Sequence, residues 1–200
     1  MRKIGIYGGT FNPPHIGHIS AARAFLSSLE LDELLIIPTA TPPHKDYKST
    51  VRAEDRLRMC ELAFSFDKRI KVSDLEIKRG GKSYTYLTLE ELSAPDTELF
   101  FLVGTDMTVS LDCWVNPERI FELAKIVYVR RENDPIFSAL IEKKTREYRE
   151  KFGAEIIGID NEVVEISSEQ IRAAMKAKAP LDGYLSEEVS SYIEKEGLYK

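Results

Sequence analysis

Two glycines followed closely by two histidines are the first residues in this chain whose types and spacing could do chemistry. Gly8 and Gly9 end a short apolar run, and His15 and His18 follow three residues apart. Adjacent glycines let the backbone approach a ligand, and their amides join the N-terminus of a following helix to make a place for an anion. Two imidazoles at this spacing share a face if both lie in the first helical turn. That end of a helix disfavours imidazolium, and a bound polyphosphate would reverse the preference. The spacing is not the GxGxxG of dinucleotide folds, so hydride transfer has no support. Other readings are a metal-ligating pair, for which no third imidazole is nearby, or one histidine capping the turn beside a satisfied polar neighbour. Taken whole, the segment GGTFNPPHIGH from Gly8 to His18 favours phosphate.

A second constellation lies far along the chain, at Ile166-Ser167-Ser168-Glu169-Gln170-Ile171-Arg172. Ser168 can cap a helix, and Arg172, one turn on, shares its face. Hydroxyl, amides and guanidinium can converge there on a β- or γ-phosphate.

Alternating elements must bring these groups together. Residues 3–7 read as a strand ending at the glycines, and a helical pattern follows from Ile16 with Ile19, Ala22, Phe25, Leu26 and Leu29 inward. Leu34 to Ile37 is a buried strand stopped by Pro38, which makes a parallel βαβ unit. The stretch 39–50 has the composition of a surface loop. A helix follows with Ala53, Leu57, Cys60 and Phe64 at helical spacing, then short strands near 70–77 and a helix after Ser83-Tyr84-Thr85. Leu99 to Val103 is a second buried strand, running into Gly104-Thr105-Asp106. Asn116-Pro117 caps a helix with Ile120, Phe121 and Leu123, and Ile126 to Val129 is another strand. A charged helix over about 137–151, strands near 155–158 and 163–166, and two short helices complete the order. The pattern predicts an α/β, doubly wound, mainly parallel Rossmann-like sheet with ligands at the carboxyl ends of its strands. Residues 1–200 read as one domain, the helical part from about 167 packing on the same core.

Composition narrows the function. A formal net charge of −5 at pH 7 argues against nucleic-acid binding, and 43% hydrophobic residues among 200 can build one good core. The two cysteines, Cys60 and Cys113, are far apart and without a CxxC partner, which suggests a reducing, cytoplasmic setting and no thiolate metal site. No signal peptide or membrane-length apolar run is evident. Oligomeric state stays open, including a homo-oligomer.

GGTFNPPHIGH resembles the HxGH signature of the nucleotidyltransferases, and ISSEQIR resembles their ISSTxIR signature. Further segments resemble the bacterial nicotinate mononucleotide adenylyltransferases: Pro42-Pro43-His44-Lys45, Arg56-Leu57-Arg58-Met59, Ser83-Tyr84-Thr85, Gly104-Thr105-Asp106 followed by Trp114, and the ending Gly197-Leu198-Tyr199. The resemblance implies transfer of AMP from ATP to nicotinate mononucleotide with magnesium, giving nicotinate adenine dinucleotide and pyrophosphate. Nicotinamide mononucleotide or phosphopantetheine are the alternative acceptors. It assigns ATP to Gly8, Gly9, Thr10, Phe11, His15, His18, Gly104, Asp106, Ser167, Ser168, Ile171 and Arg172. It assigns the mononucleotide to Gly9, Thr10, Phe11, Lys45, Ser83, Tyr84, Thr85, Trp114 and Val115. His15, His18, Lys45 and Arg172 would stabilise the transferring phosphates, Trp114 would stack on the pyridine, and backbone amides near Thr85 and Val115 would hold its carboxylate. Asp106 suits a ribose or a magnesium-bound water. Three positions depart from the family pattern: Asn12 stands for its usual Asp, Glu169 for the Thr of ISST, and Arg131-Glu132 for RPG.

Overall fold

The computed structural model describes residues 1–41, 51–129, 135–181 and 183–200, with backbone alone for Pro135 and Ile136. Lys45 and the rest of its Pro-Pro-His-Lys segment, and Arg131-Glu132, lie outside the described residues.

Six strands form one sheet. They are β1 (Arg2–Gly9), β2 (Glu33–Pro38), β3 (Ile70–Val72), β4 (Thr97–Gly104), β5 (Ala124–Val129) and β6 (Ile156–Ile159). All neighbouring pairs are parallel, in the order β3-β2-β1-β4-β5-β6. Helix α1 (Ile16–Ser28) follows β1, and α2 (Ala53–Ala63) lies between β2 and β3. After β3, α3 (Leu75–Arg79) and α4 (Thr85–Leu92) precede β4, while α5 (Thr105–Thr108) begins at its end. Then come α6 (Pro117–Leu123), α7 (Pro135–Phe152), α8 (Ser168–Lys176) and α9 (Glu187–Glu196). This is the doubly wound order read from the alternating pattern. Among the described residues no helix is long and apolar enough to cross a membrane.

The strands are apolar on both sides because both faces are covered. Tyr7, Leu34, Ile36, Phe100 and Leu102 pack on one face with Phe25 of α1, Met59 of α2, and Val189 and Ile193 of α9. Their strand neighbours Ile6, Leu35, Ile37, Leu99 and Phe101 pack on the other with Leu89, Ile120 and Tyr148 from α4, α6 and α7. The period of two sorts a continuous apolar run into two cores. The chain winds from β1 one way to β2 and β3, then the other way to β4, β5 and β6. β1 and β4 are neighbours at this reversal, where a crevice opens at the strands' carboxyl ends.

Two strand assignments give way to other structure. Only Ile70–Val72 of the 70–77 stretch pairs in the sheet, and Leu75–Arg79 is helical. An acidic residue, Glu76, in its first turn and Lys78 and Arg79 in its last suit the helix dipole, a preference that masks as alternation in so short a run. Residues 163–166 form no strand; Val164, Glu165 and Ile166 instead line the crevice. On α2 the buried positions are Asp55, Arg56, Met59, Cys60 and Ala63, so the inward stripe includes a full ion-bearing turn rather than Ala53 and Leu57.

The close approach of α1 to the sheet depends on Gly5. A Cβ there would lie 2.5 Å from Leu31 Cδ1 and 2.9 Å from Phe25 Cε1. Overpacking of this kind costs about 1–3 kcal/mol. Gly5→Ala is therefore expected to lower the unfolding free energy by about 1–3 kcal/mol, read as a lower urea midpoint with an unchanged slope; an unaltered midpoint would show that Leu31 and Phe25 yield freely.

Candidate active site

The crevice is a cavity of about 1040 Å³, a volume that accommodates two nucleotides. Its walls start at the exit of β1. Gly8 to Asn12, His15 and His18 form one side, and Gly104 and Asp106 at the exit of β4 form the next.

His15 lies outside the helix that follows it. It is the N-cap of α1, in extended conformation, and its backbone N–H donates to Nδ1 of His18 at 3.2 Å, closing a capping box from two imidazoles. The rings therefore meet tilted by 40°, centroids 3.7 Å apart, rather than as neighbours on one helical face. With Nδ1 of His18 accepting, a neutral His18 carries its proton on Nε2. Gly17 leaves room for the His15 ring: a Cβ there would sit 3.1 Å from Cε1 and Nδ1 of His15.

The turn ahead of the histidines is held by its carbonyls. Arg56 Nη1 donates to Thr10 O at 2.9 Å, Arg172 Nη1 to Asn12 O at 2.8 Å, and the Ser168 hydroxyl to Pro13 O at 2.9 Å. The Tyr199 hydroxyl donates to Asn12 Oδ1 at 2.7 Å. Burial pushes the Tyr199 hydroxyl well above the ordinary phenol range, so it stays a donor. The Asn12–Pro13 peptide is cis, and Phe11 adopts a positive φ of 47° with its ring wedged against Tyr7, His18 and Phe64. A large residue in that region is held by its surroundings.

Arg56 also reaches the second strand exit. Its Nη2 donates to Thr39 O at 2.6 Å and Ala40 O at 3.2 Å, and the side chain is 1% exposed. One guanidinium thus ties the exits of β1 and β2 together.

Beside the turn that precedes the histidines, α8 begins. Its N-cap is Ser167, whose hydroxyl accepts from Gln170 N, while Ser168 is the first helical residue. The cap is shifted by one from the expected Ser168 because the Ser167–Gln170 pair closes a capping box. Ser167, Ser168, Glu169 and Arg172 line the cavity; Ile171 points into the protein and is fully buried.

At the far end Trp114 stands edge-on to Phe101, centroids 6.2 Å apart, with Ser83 and Thr85 on the facing wall. Ser83 is fixed by accepting from Ala40 N at 2.9 Å and donating its own N–H to Thr41 O at 3.0 Å. The side chains of Tyr84 and Val115 are not part of the wall; Val115 is 48% exposed. Behind Asp106, Tyr148 of α7 donates to Thr108 O and Asp112 Oδ1, both at 3.0 Å, and Lys144 bonds Asp112 at 2.9 Å. Burial, with the bond to Asp112, pushes the Tyr148 hydroxyl up to about 12.

The profile of the cytidylyltransferase-like family matches residues 6–174. A probable nicotinate-nucleotide adenylyltransferase of Lachnoclostridium phytofermentans is 38% identical over 201 residues, covering all of both chains. The chain belongs to this adenylyltransferase family. A protein of the same description from Bacillus cytotoxicus is 38% identical over 202 residues, again covering both chains fully. In fold the chain is similar to Plasmodium falciparum nicotinic acid mononucleotide adenylyltransferase complexed with NaAD, with a TM-score of 0.74 at 18% identity, covering 100% of this chain and 98% of that one.

Among members of this family the sequence signatures draw attention to His15, His18 and Arg172, whereas Arg56, Glu76, Thr88 and the Tyr199 hydroxyl carry geometry that their motifs alone do not reveal. Placing Arg56 on one stripe with Met59, Cys60 and Ala63 would have exposed it as a buried cation. Arg56→Lys cannot span these carbonyls with a single ammonium, and each lost charged hydrogen bond costs about 1.5–3 kcal/mol. Urea unfolding should show at least one such loss. Arg58→Lys, 54% exposed on the same helix, is expected to stay within about 0.5 kcal/mol of the parent.

Proposed function

We propose that the chain transfers AMP from ATP to nicotinate mononucleotide, with the acceptor's phosphate attacking the α-phosphorus in line and pyrophosphate leaving. The observation that carries this reading is one cavity with two chemically distinct ends. At one end are the 8–11 turn, the paired imidazoles, Ser167 and Arg172; at the other are Trp114, Ser83 and Thr85. No protein nucleophile is needed, so catalysis is positioning and charge stabilisation.

The amides of the glycine turn let the two phosphates approach. His15 and His18 contact the α- and β-phosphates as charge shifts to the leaving group, and Arg172, anchored through Asn12 O, presents its remaining donors to the triphosphate. Lys45 adds charge from its own segment. Trp114 stacks on the pyridine, and the first amides of α4 take its carboxylate.

Magnesium fits the wall's charge. Glu162, Glu165 and Glu169 line the rim beside Ser167 and Arg172, so a bare triphosphate meets carboxylates that a neutralised one does not. Asp106, on the cavity wall, would take a magnesium-bound water if the metal arrives with the nucleotide. When bound, it neutralises the departing pyrophosphate. A cytoplasmic setting suits a reaction on these small molecules.

His18→Ala is expected to lower kcat by about 10² or more while the fold survives, the scale of losing one preorganised contact. Near-parental turnover in a folded variant would remove His18 from the reaction. A second expectation concerns the acceptor. A carboxylate accepts from two amides, whereas a carboxamide turns its NH₂ toward one of them, and the unmade bond costs about 1–3 kcal/mol, or about ten- to a hundredfold in kcat/KM. Steady-state rates with nicotinate and nicotinamide mononucleotides at saturating ATP check it; equal values would defeat the carboxylate site and leave the transfer reaction standing.

A further inference from the structure

One charged group in the cavity wall has no part in the reaction as described. Glu76, on α3, is 6% exposed and lines the cavity together with Ser83, Thr85, Thr88 and Trp114. Its Oε1 accepts from the Thr88 hydroxyl at 2.6 Å. Arg79 Nη2 lies 3.8 Å from the same oxygen and donates to the Thr88 hydroxyl at 2.8 Å. The other oxygen, Oε2, is buried and has no hydrogen-bond partner among the described residues. A buried carboxylate oxygen without a donor is costly, and its complement is a positive charge.

Arg79 does not neutralise this charge alone, because its Nη1 donates to Glu91 at 3.1 Å. One guanidinium divided between two carboxylates leaves the cluster at −1, with Glu76 as its buried end. The neighbouring wall points the same way. Trp114 and Phe101 offer aromatic surface, and aromatic faces attract cations.

We infer that Glu76 is a specificity-determining residue that selects acceptors with a positively charged ring, supplying the counter-charge for a pyridinium stacked on Trp114. This rests on the mononucleotide reading above and deepens it. A pyridinium has no N–H to offer, so it complements Oε2 through charge rather than through a hydrogen bond. The zwitterionic ring meets a divided wall, amides at the start of α4 for its carboxylate and Glu76 for its ring charge. Since the ring keeps that charge throughout the transfer, Glu76 acts on KM and not on kcat.

The experiment compares two acceptors on the full chain with ATP and magnesium. One is nicotinate mononucleotide; the other is the 5′-phosphate of a riboside carrying 3-carboxyphenyl, which keeps the carboxylate and phosphate but has an uncharged ring. The parent chain should bind the charged acceptor about tenfold more tightly or better, and Glu76→Gln should bring the two within about threefold by weakening the charged one alone. Glu91→Gln, at a half-exposed position that spares the fold, gives Arg79 wholly to Glu76 and should narrow the preference about twofold. Equal binding of the two rings by the parent, equal weakening of both by Glu76→Gln, or an unchanged preference in Glu91→Gln would overturn the inference. If the parent turns over neither acceptor, the mononucleotide reading itself fails; turnover with equal affinities removes only the role of Glu76.

Discussion

A turn that offers amides to an anion must dispose of its carbonyl oxygens, and this constraint organises the molecule. The carbonyls of Thr10, Asn12 and Pro13 are taken by Arg56, Arg172 and Ser168, and the side-chain oxygen of Asn12 by Tyr199. The partners come from three separate parts of the chain, so the turn is shaped by α2, α8 and the residues after α9 at once. The parallel sheet makes this feasible, because it delivers every strand exit to one edge.

The same arrangement separates two kinds of electrostatics in one cavity. Around α1 and α8 the imidazoles, the Ser167 hydroxyl and the Arg172 guanidinium suit a phosphate whose charge a metal partly neutralises, with Glu162, Glu165 and Glu169 beside them. Around α3 and α4 the wall is aromatic with a buried carboxylate, suited to a flat cationic ring. The boundary between them falls near the exit of β2, where Arg56 holds Thr39 and Ala40 while Ser83 holds Ala40 from the other side. Both ends are thereby fixed to a common backbone, which sets the distance between the two substrates.

Much of this was legible in the residue order. A continuous apolar run such as Leu34 to Ile37, stopped by Pro38, reads as a strand covered on both faces, and glycines at the end of β1 with histidines at the start of α1 mark an anion site once the strand and helix are placed. What escaped reading has physical causes. The ring-on-ring contact of His15 and His18 depends on His15 standing outside the helix, and spacing alone does not distinguish an N-cap from a first-turn residue. Leu75–Arg79 is too short for either period to assert itself. Arg56 hides on a helix whose apolar residues suggest a different stripe, since a buried cation is recognisable only when its acceptors, backbone carbonyls from other segments, are in view. Glu76 gives no periodic signal at all. Lys45 lies outside the described residues.

The tie between Asn12 and Arg172 has a bearing on how the molecule is made. A nascent chain emerges with its glycine turn first, while the serine, arginine and tyrosine that bind that turn's oxygens follow 155, 160 and 187 residues after their partners. Until they arrive, the emerging N-terminal half lacks the finished anion site, and nucleotide in the surroundings has nothing complete to stabilise. Assembly therefore waits on contacts between distant positions, which are slow to form by their nature. A ligand that needs the finished turn therefore stabilises only chains in which Asn12 and Arg172 have met.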